Sequence, residues 1–486
     1  MQTLVLIAVG AVAFFVIAER IRIWRLHRLT RANNCLSISK AKQSPFLFGI
    51  DWLRDFSKSA VEHRVLEHHL QEHVKYGNTF SVETFGSTVI HTSEPEYLKA
   101  ILGTQFSSFD LGPSRHRAFS PLLGDGIFTI SGPAWSHARR IVKGNFTRHE
   151  IKSVLDKLEV GVQRLIKSIS PEETIDLQPL FLKLTMDTST DFLFGYSTAE
   201  HSYGKAFSEA FETAQKGMAV RARLGPINKL YTDKKFEASC GVIHSYVDDL
   251  IRKALHNRSS VGDERYVFLY ELAKEVDDPK QLRDHLLNLL VAGRDTTAGL
   301  ISISFFLLAR HKDVWDKLQQ EIASLEGQPP DFEQIKSMSY LSRVLKEVLR
   351  LYPVTPLIGR EANKNSILTS TKEGVSPLFV QKGQRIALSI HAMHRRQGLY
   401  GSDAAEFLPS RWEHIRPQWS YLPFSGGNRI CIGQQFALVE ASYVIVRLLQ
   451  TFAGIQSRDD EPFKETVGLT LASKNGTLVA LFPQAV

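Results

Sequence analysis

A chain of 486 residues with 43% hydrophobic and 23% charged side chains has ample apolar material for a large core and too little charge for extended disorder. Its cysteines, Cys35, Cys240 and Cys431, lie far apart without a CxxC or Cys/His cluster, which argues against a disulfide framework or a structural zinc site and fits a reducing compartment. The net charge of +8 does not point to a nucleic-acid partner, because Arg20, Arg22, Arg25, Arg28 and Arg31 beside Glu19 supply half of it.

The first element explains that clustering. Residues 1–18 carry no charged side chain, and Leu4 to Ile17 is almost unbroken apolar sequence. This predicts an N-terminal transmembrane helix, a membrane anchor over residues 1–19, followed by a basic linker over 20–45. The run is at the short end of what spans a bilayer. Arginines directly after it place the bulk of the chain on the cytosolic side. A cleaved signal peptide would carry its positive charge first and small residues at a cleavage site, and neither stands here. From 46 to 486 no repeat, low-complexity tract or hinge divides the sequence, which reads as one domain.

Helical patterns dominate that domain. Thr79–Glu83, Thr88–His91 and Arg385–Ser389 read as short strands, too few for a large sheet, so the fold class is mainly α with small β-sheets. Trp135 and Arg139 stand four apart and share a helix face. From about Asp284 to Ala309 almost no polar face remains, the pattern of a helix buried on all sides. Arg294 and Asp295 at its middle would be costly in a bilayer, so a core helix is favoured over a second membrane span. Thr296, beside them, could on its own simply bond a backbone carbonyl of its helix. Glu347 and Arg350, three apart, would alone be an ordinary ion pair.

The most informative stretch is Phe424-Ser-Gly-Gly-Asn-Arg-Ile-Cys431-Ile-Gly433, followed by a helical pattern from Gln434 to Leu449. A cysteine there meets unpaired N–H groups and the positive end of the helix dipole, which should lower its pKa and favour the thiolate that metals bind. Gly427 and Gly433 let the backbone pass close to a flat cofactor, Phe424 can shield the sulfur, and Arg429 can reach an acidic group on the cofactor edge. An isolated cysteine would more often be buried and inert; the surrounding pattern argues otherwise.

In this pattern the chain resembles the cytochrome P450 superfamily, whose Phe-x-x-Gly-x-Arg-x-Cys-x-Gly signature is matched at Phe424, Gly427, Arg429, Cys431 and Gly433. The resemblance covers roughly residues 46 to 486 and implies the cytochrome P450 fold. It further implies a heme (iron protoporphyrin IX) with Cys431 as the axial iron ligand. Ala292-Gly-Arg-Asp295-Thr296-Thr297 is similar to the family's oxygen-activating segment, with Thr296 and Asp295 serving proton delivery. Trp135, Arg139 and Arg360 resemble its propionate contacts. Glu347 and Arg350, with Arg411, match a buried network that supports the fold and performs no chemistry. Ser410 stands where the family usually has glutamate, and the proline-rich hinge after the anchor is reduced to Pro45.

Asp187–Gly195, Leu290–Ala298 and Arg429–Ala437 look like the corresponding stretches of fungal n-alkane and fatty-acid hydroxylases. The function this implies is a haem-thiolate monooxygenase of the endoplasmic reticulum membrane, single-pass and facing the cytosol. It would hydroxylate a lipophilic substrate such as an alkyl chain, a fatty acid or a fungal secondary-metabolite intermediate. Electrons would come from NADPH through a separate flavoprotein reductase, which Arg140 and Lys143 could meet. A pocket is expected near Phe119 to Phe128, Phe211 to Met218, Leu289, Ala292, Val354 to Ile358 and Leu469 to Leu471, with Arg115, Arg117 or Arg221 able to hold a carboxylate at its mouth. The alternatives are a reductase-independent isomerase or dehydratase and a non-catalytic haem sensor. Neither needs the proton relay that Thr296 and Asp295 suggest.

Overall fold

The computed structural model describes residues 21, 28–35, 38–44, 49–84, 87–144, 146, 148–196, 204–257, 267–370, 372 and 374–484; the expected anchor, residues 1–19, lies outside the described residues. The chain is mainly helical with small sheets. It divides into two compact units, one made of residues 1–112, 357–393 and 426–429, the other of 113–356, 394–425 and 430–486.

The first unit is built on a six-stranded sheet. Its strands are β1 (Ser39–Lys40), β2 (Thr79–Thr84), β3 (Ser87–Thr92), β4 (Phe109–Asp110), β5 (Leu357–Ala362) and β6 (Arg385–Ser389), in the order β1-β2-β3-β6-β5-β4. β2 and β3 form an antiparallel hairpin with Phe80 opposite His91, and β3 runs parallel to β6 with Ile90 opposite Ile386. β5 pairs antiparallel with β6, which sets Arg360 opposite Ile386. The helices α1 (Ile50–Val61) and α2 (Val65–Tyr76) complete this unit. Here His69 and His91 are buried with ring centroids 5.3 Å apart, and His91 stacks on Phe80 at 5.1 Å. Burial pushes His69 down to about 3 and His91 well below its ordinary value, with repulsion among these histidines, His68 and His73 adding to it.

Seven helices carry the argument in the second unit: α3 (Pro113–Leu123), α4 (Gly132–Gly144), α5 (Leu177–Phe194), α6 (Gly204–Leu224), α7 (Pro279–Leu308), α8 (Ser339–Leu351) and α9 (Gln434–Thr451). α7 starts earlier than its apolar pattern suggests, because the Asp278 side chain accepts from the Lys280 N–H and Pro279 occupies the first helical position. It packs on α5 and α9. Leu286, Leu290, Ile301, Ile303, Phe305 and Leu308 on it have no exposed surface, each side chain contributing about 1.5–3 kcal/mol of burial. Among the described residues it is the one helix long and apolar enough to cross a membrane, and 72% of its most apolar window is buried in protein, as a core helix requires. One stretch interrupts that burial: Val291, Ala292, Gly293, Asp295 and Thr296 keep part of their surface open.

The segment from Pro113, part of which reads as loop in the sequence, is helical as α3 despite Pro121 within it. Proline has no N–H to offer Arg117, four residues back. The Arg117 carbonyl instead accepts from Arg221 Nη2 of α6 at 3.0 Å, so the missing helix bond is replaced by a tertiary one.

Candidate active site

The loop before α9 is shaped by main-chain contacts. The Cys431 N–H donates to the Phe424 carbonyl at 3.0 Å, and Ser425 turns the chain with φ 62°. Arg139 Nη2 donates to the Ile430 carbonyl at 2.6 Å while its guanidinium carbon lies 5.6 Å from the centroid of the buried Trp135 ring. The two α4 side chains therefore act together on the residue preceding Cys431. Gly433 is the N-cap of α9 and no side chain caps it.

The Cys431 thiol differs from the sequence expectation. Burial pushes it above its ordinary value, and the Gly433 N–H and the positive charge of Arg139 pull the other way without winning. The helix dipole cannot compensate fully because Cys431 lies two residues before the N-cap, where its influence fades. A cation bound at the sulfur would favour the thiolate against that burial. Cys431 keeps exposed surface although enough protein packs around it to desolvate the thiol.

Two further loop residues belong to the first unit. Gly427 has φ +64°, and a Cβ there would lie 1.8 Å from the Leu102 carbonyl oxygen. Glycine at 427 thus answers a close approach of the protein's own backbone. Arg429 sets its guanidinium carbon 5.8 Å from the Phe106 ring centroid. Arg360, on β5, is 6% exposed and donates from Nη1 to the Gly359 carbonyl at 2.8 Å.

In the open stretch of α7 the Thr296 hydroxyl donates to the Ala292 carbonyl at 2.6 Å. Its single hydrogen is spent there, so Oγ1 faces any further partner as an acceptor. Asp295 Oδ1 accepts from Arg294 Nη1 at 3.0 Å, and Arg294 Nη2 reaches Glu212 of α6 at 3.1 Å. Burial raises the Asp295 carboxyl above its ordinary value against Arg294 and a hydrogen bond to Gln215. The bridge from Asp295 through the buried Arg294 to the half-exposed Glu212 is absent from the sequence reading, although an arginine beside an aspartate inside an apolar helix was a usable signal. Gly299, one turn on, lets the Leu471 carbonyl and Val354 come within 3.0 and 3.4 Å of where a Cβ would stand.

Glu347, Arg350 and Arg411 meet away from these groups. Arg350 donates to both Glu347 oxygens, at 2.9 and 2.8 Å, and Arg411 Nε donates at 3.3 Å. The Leu408 N–H and the Trp412 indole complete the shell around a carboxylate with no exposed surface.

These residues fit a metalloporphyrin. Among the described residues no cluster of three or more His, Cys, Asp or Glu could hold an ion, which suits a metal that brings its other ligands with it. The loop is uncrowded at Gly433, where an added Cβ would meet only a Phe146 ring carbon, at 3.9 Å. Arg139 adds a positive charge that suits a cofactor carboxylate.

The comparisons agree. The family model for cytochrome P450 matches residues 52–480. Cytochrome P450 52A13 of Debaryomyces hansenii is 42% identical over 83% of this chain and 83% of its own length. Cytochrome P450 monooxygenase himC of Aspergillus japonicus is 41% identical over 90% and 81%, and cytochrome P450 monooxygenase fsdH of Fusarium heterosporum 39% over 89% and 81%. With heme as its cofactor and electrons drawn from NADPH through a reductase, the chain is a haem-thiolate monooxygenase of the cytochrome P450 family.

Proposed function

We propose that Cys431 is the axial ligand, that Trp135, Arg139, Arg360 and Arg429 hold the cofactor's propionates, and that Phe424, Gly427 and Gly433 shape the loop around the sulfur. The observation that carries this reading is an exposed cysteine with enough protein around it to desolvate the thiol, and with the Gly433 N–H and Arg139 acting on it. When bound, the heme supplies the oxidising centre that places one oxygen atom of O2 into a C–H bond.

The protein's own part is to fix groups and move protons. Thr296 Oγ1, its hydrogen committed to Ala292, accepts from a water and holds it in the open stretch of α7. Asp295, its carboxyl raised above its ordinary value by burial, is the group that takes up a proton and passes it on. Arg294, paired with both Asp295 and the half-exposed Glu212, holds the Asp295 carboxylate in place and ties it to a carboxylate at the surface. A rearrangement without O2 has no use for this arrangement, so the monooxygenase reading is favoured over the isomerase, dehydratase and sensor readings.

The substrate in this reading is an alkyl-chain molecule. The side chains expected near it, Phe119, Phe211, Met218, Leu289 and Leu471, are apolar and packed, which excludes water and recognises shape. The N-terminal segment anchors the enzyme in the endoplasmic reticulum membrane with residues 46–486 in the cytosol. Arg140 and Lys143, both exposed on α4, offer positive charge to the reductase.

The test is the absorption spectrum of the reduced, carbon-monoxide-bound protein, for wild type and Cys431→Ser. A thiolate-type Soret band in wild type that the variant loses is expected. A haem-loaded wild type without that band would overturn the assignment.

A further inference from the structure

The open stretch of α7 ends abruptly, and what closes it is assembled from remote parts of the sequence. Val291, Ala292, Gly293, Asp295 and Thr296 keep part of their surface open, whereas Thr297 and Ala298 are each 1% exposed and Gly299 is buried. Gly299 follows Thr296 by three residues, so the two share a face of the helix. They stand about 4.5 Å apart along its axis, at roughly 1.5 Å per residue. At this point the helix itself offers no side chain.

Two segments come in where that side chain is missing. One is the turn after α8, where Val354 stands between Pro353 and Pro356, whose rings fix the backbone. The other is a hairpin of β7 (Glu465–Val467) and β8 (Leu471–Ser473), antiparallel with Val467 opposite Leu471, whose second strand packs on α7. A Cβ at Gly299 would lie 3.0 Å from the Leu471 carbonyl oxygen and 3.4 Å from Val354 Cγ1. Val354 and Leu471 are also joined to each other. The Leu471 N–H donates to the Val354 carbonyl at 2.9 Å, and the two residues are 6% and 0% exposed. The base of the hairpin is fastened to α5, since the Ser473 N–H donates to Gln178 Oε1 and Gln178 Nε2 donates to the Ser473 carbonyl, each at 3.1 Å. The closure is therefore made of main chain and one branched side chain, and it does not yield as the end of a long flexible side chain would.

We infer that Gly299 is a specificity-determining residue: the junction of α7, the Val354 turn and the β7–β8 hairpin is the wall that limits how far a substrate's apolar chain extends past Thr296, and thereby selects the carbon that is oxidised. An alkyl chain has no polar group to fix its depth, so contact with a firm surface has to do so. The wall stands one helical turn from Thr296, and a misplacement of about 1 Å can change the rate at a given carbon on the order of a hundredfold. Glycine sets the wall's position, because a side chain at 299 would make the Leu471 main chain give way by a few tenths of an ångström. This rests on the monooxygenase reading above and on the place it gives Thr296, and adds the feature that decides between neighbouring carbons.

The test uses the full-length haem-loaded protein with its reductase and NADPH, and n-decane, n-dodecane, n-tetradecane and n-hexadecane as probes, which differ only in length. For wild type, Gly299→Ala and Val354→Ala, the positional isomers of the alcohol are quantified, and the Kd of each alkane is read from the spin-state change it causes. Gly299→Ala displaces the wall and should change the ratio of the two main isomers at least about tenfold. Val354→Ala hollows the wall and should move the tightest Kd to a longer alkane. The thiolate band should persist in both. Isomer ratios and a best length that stay unchanged in both folded variants, even with slower turnover, would mean that Gly299 serves packing alone and would overturn the inference. A wild type that shows its thiolate band yet binds none of the alkanes would overturn it too. Absence of that band would sink the monooxygenase reading instead. Val354→Ala removes atoms and adds none, so it decides the matter should Gly299→Ala fail to fold.

Discussion

Glu347 and Cys431 sit in the same unit and solve opposite problems. Glu347 has no exposed surface and accepts from five N–H groups, two of Arg350, one each of Arg411, Trp412 and the Leu408 backbone. Arg350 spends its remaining donors on the His394, Ala404 and Glu406 carbonyls. Nothing in this knot is left to bind anything. Around Cys431, and at Asp295 and Thr296, the side chains are desolvated but incompletely used, with open surface and acceptors to spare. A saturated polar cluster supports the fold, and an unsaturated one that faces open space is where a second molecule fits.

The strongest way to break the comparison is to unsaturate the knot. Glu347→Ala leaves Arg350 charged and buried without its partner, which should cost about 3–5 kcal/mol and show as early loss of the thiolate band in denaturant. A variant as stable as wild type would mean the knot is dispensable. Glu440 on α9 tests the reverse case. It is 2% exposed, burial pushes its carboxyl up to about 8, and Thr188, whose hydrogen goes to Leu184, relieves it little. Because the folded value lies above the unfolded one, stability is full at acid pH and falls as pH rises toward 8. Glu440→Gln should therefore stabilise the protein at pH 7, by up to about 3 kcal/mol, and flatten the pH dependence of unfolding.

At the open site the expected effects are on turnover. Thr296→Val removes the acceptor and should lower product formation on the order of a hundredfold, about 2.7 kcal/mol, while the thiolate band persists. A smaller change than Asp295→Asn produces would shift the weight to the carboxylate.

The histidines of the first unit refine the rule, since the Nδ1 atoms of His69 and His91 lack hydrogen-bond partners yet are walled in by rings. Their folded values are depressed, so stability holds above pH 6.5 and drains as pH falls toward 3. His69→Phe should recover about 2 kcal/mol at pH 5 and almost nothing at pH 8, read from acid unfolding.

Much of this was legible in the sequence where the signal was local. Cys431 announces itself through residues within a few positions, Trp135 and Arg139 through helical spacing, and the strands Thr79–Thr84, Ser87–Thr92 and Arg385–Ser389 through alternation. The pairing of Phe109–Asp110 with Leu357–Ala362 was not, because β4 is two residues long and its partner lies far along the chain. A second demand on Gly427 was hidden for a similar reason: the obstacle its missing Cβ avoids, the Leu102 carbonyl, is remote in sequence. The Cys431 thiol was read from the helix dipole, whereas the deciding quantity is how much protein surrounds the sulfur, which no spacing reveals.

The bond from the Cys431 N–H to the Phe424 carbonyl is made by main chain alone, and it frees the loop's outward side chains from any duty to hold the sulfur in place. Asn428 is exposed and Ile430 is 41% exposed. Substitutions at these two positions can change what the outer surface presents while the main-chain bond that sets the Cys431 backbone stays in place.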